Sequence, residues 1–427
     1  MPWQSPISPG ISWYEASVGE RPEYAPLDGS VETDVAIVGG GFTGLQAAYN
    51  LARKGVRVTL IEAHRFGDGA SGRNGGQLGT GQRAEAEELE AELGYERAKA
   101  LFDMAEDAKR HIHDFAASQN LDIDYVPGQL NVSHKASFEK DFRDHVEIAA
   151  TRYDYPHMTY MDRAETEERV GSKRFFFGIR DTGTGHIHPM KLLVGVARAA
   201  QAAGASLHEK TPALKIERAG GKAVIATAKG TIRADKALIA CNAYIGDLEP
   251  KTAAHVMPIR SFIGATAPLD GFPSVIPGGE AIADTRFVVR YFRKTRDGRL
   301  LFGGREAYSE NLDDMTPPIR RQIEEVYPEL KGIELTHAWG GSVGITMPRK
   351  PYVREVMPGI TTIGGYSGHG VMLSNYCGKL YADEVTGGSS DLDLMKALKI
   401  PAFPGGQRFR SPLLFLAMTW YALRDRL

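Results

Sequence analysis

Asp34-Val-Ala-Ile-Val-Gly-Gly-Gly-Phe-Thr-Gly44, followed by Val56 to Ile61 and Glu62, is the stretch on which the fold turns. Thr33 to Val38 is a β-branched, apolar run that predicts a strand. Gly44 to Lys54 carries apolar residues at helical spacing, and Val56 to Ile61 predicts a second strand, so the unit is βαβ. Gly39, Gly41 and Gly44 form the G-x-G-x-x-G spacing between strand and helix, with Phe42 and Thr43 inside the turn. Glycine serves there for a tight turn, for close approach of backbone to a pyrophosphate and for close packing of helix on strand. The amides of the helix N-terminus then face the phosphate charge. In a chain with 48 glycines the spacing alone carries little weight. Its place between strand and helix, and Glu62 with Ala63 at the end of the second strand, raise it to a dinucleotide site whose acid accepts from ribose hydroxyls.

Which dinucleotide follows from the next segment. Gly67 to Gly81 is a second glycine-rich loop with Ser71, Arg73, Asn74 and Gln77 as polar handles and Gly75 and Gly76 as positions of close approach. A flavin dinucleotide extended across the sheet needs backbone close to both its pyrophosphate and its ring, whereas a nicotinamide enzyme has no evident use for this loop. A third piece, Gly364-Gly-Tyr-Ser-Gly-His-Gly370, lies between a predicted strand at Ile360 to Ile363 and a predicted helix at Ser374 to Val385. It can direct amides at the flavin pyrimidine oxygen. No second strand, G-x-G-x-x-G and helix unit follows, so electrons leave to oxygen, a quinone or a carrier protein and not to a built-in nicotinamide site.

Outward from these segments, the 427 residues are 42% hydrophobic and 24% charged, enough for a large core and two lobes. A formal net charge of -2 gives no field that would gather nucleic acid, and a small ligand fits better. Two cysteines, Cys241 and Cys377, exclude a disulfide framework and a multi-cysteine metal centre, and no metal site is expected. The expected compartment is the cytoplasm. No window reaches the roughly 20 apolar residues that span a bilayer. The apolar Pro412 to Leu423 is read as a closing helix on the body, with weak peripheral membrane contact as its alternative use. Ala84 to Leu93 and Glu96 to Asn120 predict charged amphipathic helices, the latter carrying His111 and His113 on a solvated face. Pro189 to Ala203 predicts a helix, and Ser206 to His208, Ala213 to Glu217, Ala223 to Ala228 and Ala237 to Ala240 predict strands of the returning sheet. Phe287 to Phe292 and Arg299 to Phe302 predict a strand pair of a second lobe.

The three glycine segments resemble the D-amino-acid oxidase and glycine/sarcosine oxidase superfamily. Gly185-His-Ile-His-Pro189, Asn242-Ala-Tyr244, Arg299-Leu-Leu-Phe-Gly-Gly304, Phe403-Pro-Gly-Gly406 and Tyr421 to Leu427 narrow the resemblance to its gamma-glutamylputrescine oxidase-like members. It implies an α/β fold: a doubly wound, Rossmann-like FAD domain of the glutathione-reductase type, with a second α+β substrate domain on a mainly antiparallel sheet. Boundaries are expected at 31–85, 160–245 and 336–390 for the FAD domain, 86–159 and 246–335 for the substrate domain, and 391–427 for a tail on the body. Carried over by position, Gly39, Gly41 and Gly44 match the pyrophosphate turn and Glu62 the ribose acid. Ser71, Arg73, Asn74, Gly76 and Gln77 match the second loop, and Gly365, Gly368, His369, Gly370 and Val371 the stretch beside the flavin ring. Two departures matter. Sarcosine-oxidase-like members place a substrate-binding lysine where this chain has Met372, which argues against a simple α-amino acid. Members of that group also attach flavin through a cysteine, and neither cysteine here falls at that place, so FAD is expected to be non-covalent.

The implied chemistry is hydride transfer from a carbon next to an amine nitrogen to FAD, giving an imine that hydrolyses to aldehyde plus amine. Gamma-glutamylputrescine or a related gamma-glutamyl-polyamine is the expected substrate, with peroxide formed from oxygen. The amine must be neutral, and an alkylammonium with a pKa about 3.4 units above pH 7 costs about 4.6 kcal/mol to neutralise. His369 is the candidate base, weighed against a purely positional role between its glycines. His186 and His188 are weighed as packing residues more than ligand contacts. Tyr291, Arg290, Arg293 and Trp339 are the pocket candidates, each weighed against core packing or surface charge. Two alternatives stand beside this: a membrane-associated FAD amino-acid dehydrogenase passing electrons to quinone, and a non-catalytic flavin-binding protein.

Overall fold

The computed structural model describes residues 4–307, 315–388 and 391–405, so Pro412 to Leu423 lies outside the described residues. The opening unit forms as β1 (Val31–Val38), α1 (Phe42–Arg53) and β2 (Val58–Ile61). It continues into β3 (Thr231–Ile239) and β4 (Ile360–Gly364), and α2 (Gly370–Val385) follows β4. The sheet order runs Tyr352–Met357, β4, β3, β1, β2, Ser206–His208, parallel throughout except for the antiparallel first strand.

Alternation along β1 explains why the sheet is covered on both faces. Val35 and Ile37 join a core with Leu45 and Leu51 of α1, Leu192 of the helix Pro189–Ala202, and Leu373 and Leu380 of α2. Ala36 and Val38 point the other way, into a core with Ile216, Ala223 and Ile225 of the hairpin Lys215–Ala219 and Lys222–Ala226. Helices on one face and a small β-hairpin layer on the other give the doubly wound, FAD-binding arrangement read from the sequence. The helix Tyr95–Ser118 packs on α2, and this changes the reading of its two histidines. His111 sits 5.8 Å from the Tyr376 ring, its Nε2 buried, and burial pushes its pKa down to about 4. His113 meets Tyr125 edge-on at 4.5 Å. Both are half-buried where the helix meets its neighbours, while Arg110 and Asp114 beside them stay exposed.

The second sheet has ten strands among the described residues and is antiparallel except where Ala281–Asp284 runs parallel to Val126–Val132. Its long centre is Met257–Pro268, paired on one side with Leu335–Ile345 and on the other with Arg299–Ala307. Phe262, Phe292 and Phe302 are fully buried beneath it with Ile319 and Ile323 of the helix Thr316–Val326, and the Phe292 and Phe302 rings stack at 4.9 Å. Gly178–His186 and Leu335–Ile345 are strands of this sheet, although the sequence boundaries placed their residues almost wholly with the first. The strand expected at Phe287 to Phe292 starts only at Tyr291. Asp284 Oδ1 accepts the amides of Arg286 (3.1 Å) and Arg290 (3.0 Å), which pinches the preceding residues into a loop.

Candidate functional site

At the end of β1, Gly39 has φ +111°, and a Cβ there would lie 2.7 Å from the Ala240 carbonyl oxygen. A Cβ on Gly44 would lie 2.0 Å from the Gly39 carbonyl oxygen, so α1 can pack this close to the turn only with glycine at that position. The helix begins at Phe42 with Gly41 as its cap, no side-chain acceptor from the cap and no acid in its first turn, which leaves its positive end unneutralised. Ser71 Oγ, from the second glycine loop, accepts the Phe42 amide at 3.1 Å. Glu62 accepts the amides of Gly40 (2.8 Å) and His64 (3.0 Å), and burial raises its pKa against the pull of those two bonds. Ala63 beside it is exposed.

The second loop is built mostly on itself. Asn74 donates to the carbonyls of Ala70 (3.0 Å) and Ser71 (2.9 Å) and accepts the Gly76 amide at 2.8 Å. Gln77 donates to Ile282 O at 3.2 Å. Arg73 is buried, with its guanidinium on the carbonyls of Gly340 (2.6 Å), Pro9 (2.7 Å) and Gly10 (2.8 Å), so its charge ties the loop to the second sheet. The third segment is held by Asn242, whose Oδ1 accepts the Gly365 amide at 2.8 Å, and by Thr43 and Tyr366, whose hydroxyls meet at 2.7 Å. His369 precedes α2. Burial, with Arg83 adding to it, pushes its pKa down to about 4, so the ring is neutral at pH 7.

These three segments open on one cavity of about 1620 Å³. One end is lined by Gly41, Phe42, Thr43 and the second loop, the middle by Gly368 to Met372, and the far side by second-sheet residues such as Met257, Ile259, Ser261, Ile263 and Val343. Glu62 and Ala63 are not on the cavity wall, and neither are Cys241 and Cys377. FAD fits this space on three counts: the helix end, with no acid in its first turn, takes an anion, the room spans both sheets, and His369 Nε2 is a buried polar atom with no protein partner on the wall.

Of the four pocket candidates, only Tyr291 reaches the cavity, with its hydroxyl 3.2 Å from Ser261 Oγ. Arg290 is ion-paired with Glu325 at 2.6 Å. Arg293 donates to Gly75 O (2.7 Å), Ile187 O (3.0 Å) and Tyr14 Oη (3.0 Å), and so braces the second loop from behind. Trp339 is fully buried, donating its indole N–H to Arg73 O at 3.0 Å. His186 bonds Gly279 O at 3.0 Å and His188 caps the helix Pro189–Ala202, both away from the cavity wall.

Sequence reasoning did not find a polar hub that reaches the wall through Thr80 and Asp181. Thr80 donates to Asp181 Oδ2 at 2.6 Å, Tyr155 donates to Asp181 Oδ1 at 2.7 Å, and the buried Lys109 donates to Thr80 (3.1 Å), Tyr155 (3.2 Å) and Gly183 O (2.8 Å). Its members come from four separated segments and none carries a local motif. Asn242 was visible as a strand end but not as the holder of the third segment. The rim is acidic, with Glu85, Glu87, Glu88, Asp141 and Asp144 on the wall. Glu85, Glu87 and His145 bring their ligand atoms within 4.8 Å of one another, and the Glu87 carboxylate holds His145 above its ordinary pKa.

A parallel βαβ sheet, a helix end without an acid in its first turn and a cavity shared between two sheets define a dinucleotide-dependent enzyme of the two-lobed flavin type. The profile of the FAD dependent oxidoreductase family (DAO) matches residues 34–384, and the chain belongs to that family. It is 68% identical over 427 residues, covering 100% of both chains, to a protein of Rhizobium meliloti (strain 1021) named probable oxidoreductase OrdL. It is 33% identical over 420 residues, 97% of this chain and 98% of the relative, to the gamma-glutamylputrescine oxidoreductase of Escherichia coli (strain K12). Among solved structures, glycine oxidase from Geobacillus kaustophilus superposes with a TM-score of 0.71 at 22% identity, covering 84% of this chain and 96% of that one. L-proline dehydrogenase from P. horikoshii superposes with a TM-score of 0.70 at 21% identity, covering 86% and 96%. These two likenesses concern the fold. No helix among the described residues is long and apolar enough to cross a membrane.

Proposed function

We propose that the protein oxidises a small amine at the carbon next to nitrogen, with gamma-glutamylputrescine or a related gamma-glutamyl-polyamine as substrate and oxygen as acceptor. The observation that carries this reading is the single cavity: the room beside Gly368 to Met372 that would hold the flavin ring is continuous with an apolar chamber walled by Met257, Ile259, Ile263 and Val343. FAD, when bound, supplies the two-electron acceptor that converts the C–N bond to an imine, which water hydrolyses to aldehyde and amine. The chain's own residues do the rest. The acidic rim raises the local concentration of a cationic amine. The apolar chamber then disfavours the ammonium form and so contributes to the neutralisation that the chemistry needs. Met372, buried on the wall, offers a thioether where a lysine would grip an α-amino acid carboxylate next to the ring, which supports an amine whose carboxylate lies elsewhere. His369, with a pKa of about 4, is too weak a base to hold a proton at pH 7 and is read as a wall and hydrogen-bonding residue. The absence of both cysteines from the wall supports non-covalent FAD.

The reading is tested by mixing the flavin-loaded protein anaerobically with polyamines, their gamma-glutamyl forms and N-methyl amino acids. Bleaching of the flavin by a gamma-glutamyl-polyamine, and stoichiometric peroxide when air returns, are expected. No bleaching by any amine would refute the reading, and bleaching without peroxide would point to a quinone or carrier as acceptor.

A further inference from the structure

The cavity wall carries several arginines, and their guanidinium groups are not equally occupied. Arg73 is held by three carbonyls and Arg286 is ion-paired with Asp284. Arg349 is different. Among the described residues its guanidinium has neither a carboxylate nor a carbonyl partner and lies over the Phe287 ring, 4.8 Å from its centroid. Arg349 and Phe287 both line the cavity, and Arg349 is half-buried.

Its backbone is held as firmly as its side chain is uncommitted. Arg349 has φ +55°, a left-handed conformation that glycine adopts freely and other residues adopt at a cost. The turn is fixed from both ends: the Arg349 amide donates to Thr346 O at 3.1 Å, Thr346 Oγ1 donates to Lys350 O at 2.7 Å, and the Thr346 amide donates to Ser367 Oγ at 3.2 Å. Lys350 is ion-paired with Glu92. Ser367 belongs to the third glycine segment, so the turn that presents Arg349 is tied directly to the stretch beside the flavin site. A guanidinium held on an aromatic face, without an acid of its own, on the wall of a cavity that also carries Glu85, Glu87, Glu88, Asp141 and Asp144, is suited to a planar anion taken bidentately.

Resting on the amine reading above, we infer that Arg349 is the specificity-determining residue that binds a carboxylate of the substrate remote from the reacting C–N bond, with Phe287 holding the guanidinium in place. The preferred substrate is therefore an amine that also bears a carboxylate, and its cationic and anionic ends are taken by different parts of one cavity.

The test compares flavin-loaded wild type with Arg349→Ala, Arg349→Gly and Arg349→Lys. Anaerobic flavin reduction is measured with gamma-glutamylputrescine and with its carboxamide analogue, and the ratio of the two second-order rate constants is the readout. A ratio of about 30 in wild type, equivalent to about 2 kcal/mol at 1.4 kcal/mol per tenfold, is expected. It should fall to about 1–3 in the alanine and glycine variants and lie between these values in the lysine variant, which keeps the charge but loses the fork. Glycine fits the left-handed backbone, so Arg349→Gly keeps a folded, flavin-loaded protein even where alanine does not. An unchanged ratio in a folded variant overturns the assignment. A second readout needs no turnover: calorimetric titration of glutarate into wild type and Arg349→Gly. Binding at least about tenfold weaker in the variant is expected. Equal binding, or none to wild type, overturns it. Should no amine reduce the wild-type flavin, the amine reading fails and the glutarate titration alone decides the role of Arg349.

Discussion

His188 should make this protein lose stability in mild acid by an amount that can be calculated. The Lys191 amide donates to Nδ1 at 3.2 Å, capping the helix Pro189–Ala202, which leaves Nε2 to donate to Ser17 Oγ at 3.0 Å. Both bonds together require the neutral ring. A proton on Nδ1 would remove the cap and set a cation on the positive end of a helix. Burial, reinforced by the Arg293 charge, pushes the pKa from 6.5 down to about 3. Because the folded pKa lies below the unfolded one, this contribution is complete above about pH 6.5 and is lost as the pH falls towards 3. At pH 5 the unfolded imidazole is about 1.5 units into its titration while the folded ring is still neutral, which costs about 2 kcal/mol at 1.36 kcal/mol per unit. The His188→Asn variant keeps a cap acceptor and cannot titrate. It forfeits the ring contacts with Trp13 (5.2 Å) and Tyr14 (5.0 Å) at every pH, so its stability at pH 7 is lower. Its further loss between pH 7 and pH 5 should be about 2 kcal/mol smaller than that of wild type. His186, also pushed down to about 3, titrates alike in both proteins and cancels. Guanidinium unfolding followed by tryptophan fluorescence at the two pH values reads this difference. Equal acid-induced losses in the two proteins would refute the reasoning.

Gly44→Ala should purify largely free of flavin and be destabilised by about 1–3 kcal/mol, because its Cβ forces the Gly39 carbonyl out of the pyrophosphate turn; flavin absorbance per protein checks this. Lys109→Met removes the cation that is ion-paired with Glu106 at 2.8 Å and that donates to Thr80, Tyr155 and Gly183 O in the hub, and should cost about 3–5 kcal/mol, read as a lower denaturant midpoint. Acid precipitation of the flavoprotein should release FAD into the supernatant, and yellow colour retained in the pellet would mean a covalent bond.

The βαβ opening was legible because three constraints coincide within thirty residues: a β-branched run, glycines at fixed spacing and an acid at the next strand end. The second sheet was less so. Met257–Pro268 contains Pro258, Arg260 and Gly264, and Leu335–Ile345 contains Gly340, Gly341 and Gly344, compositions that read as loop. Their strand character comes from their mutual pairing across about seventy residues of chain and from neighbours that fill the missing side chains: a Cβ on Gly344 would lie 2.1 Å from Asn242 Oδ1. Arginines chosen for the pocket because of their place in sequence proved to be braces, since a strand's alternation says which face a residue takes but not what waits on that face.

By itself the sequence determined that this chain folds around a dinucleotide turn and uses FAD, because those properties reside in short, contiguous segments whose local geometry is dictated by glycine and by helix ends. Only the tertiary structure decided which side chains face the shared cavity. Thr80, Asp181, Asn242, Phe287 and Arg349 lie far apart in the chain and carry no local pattern, and they meet on one wall because two sheets close over a single space.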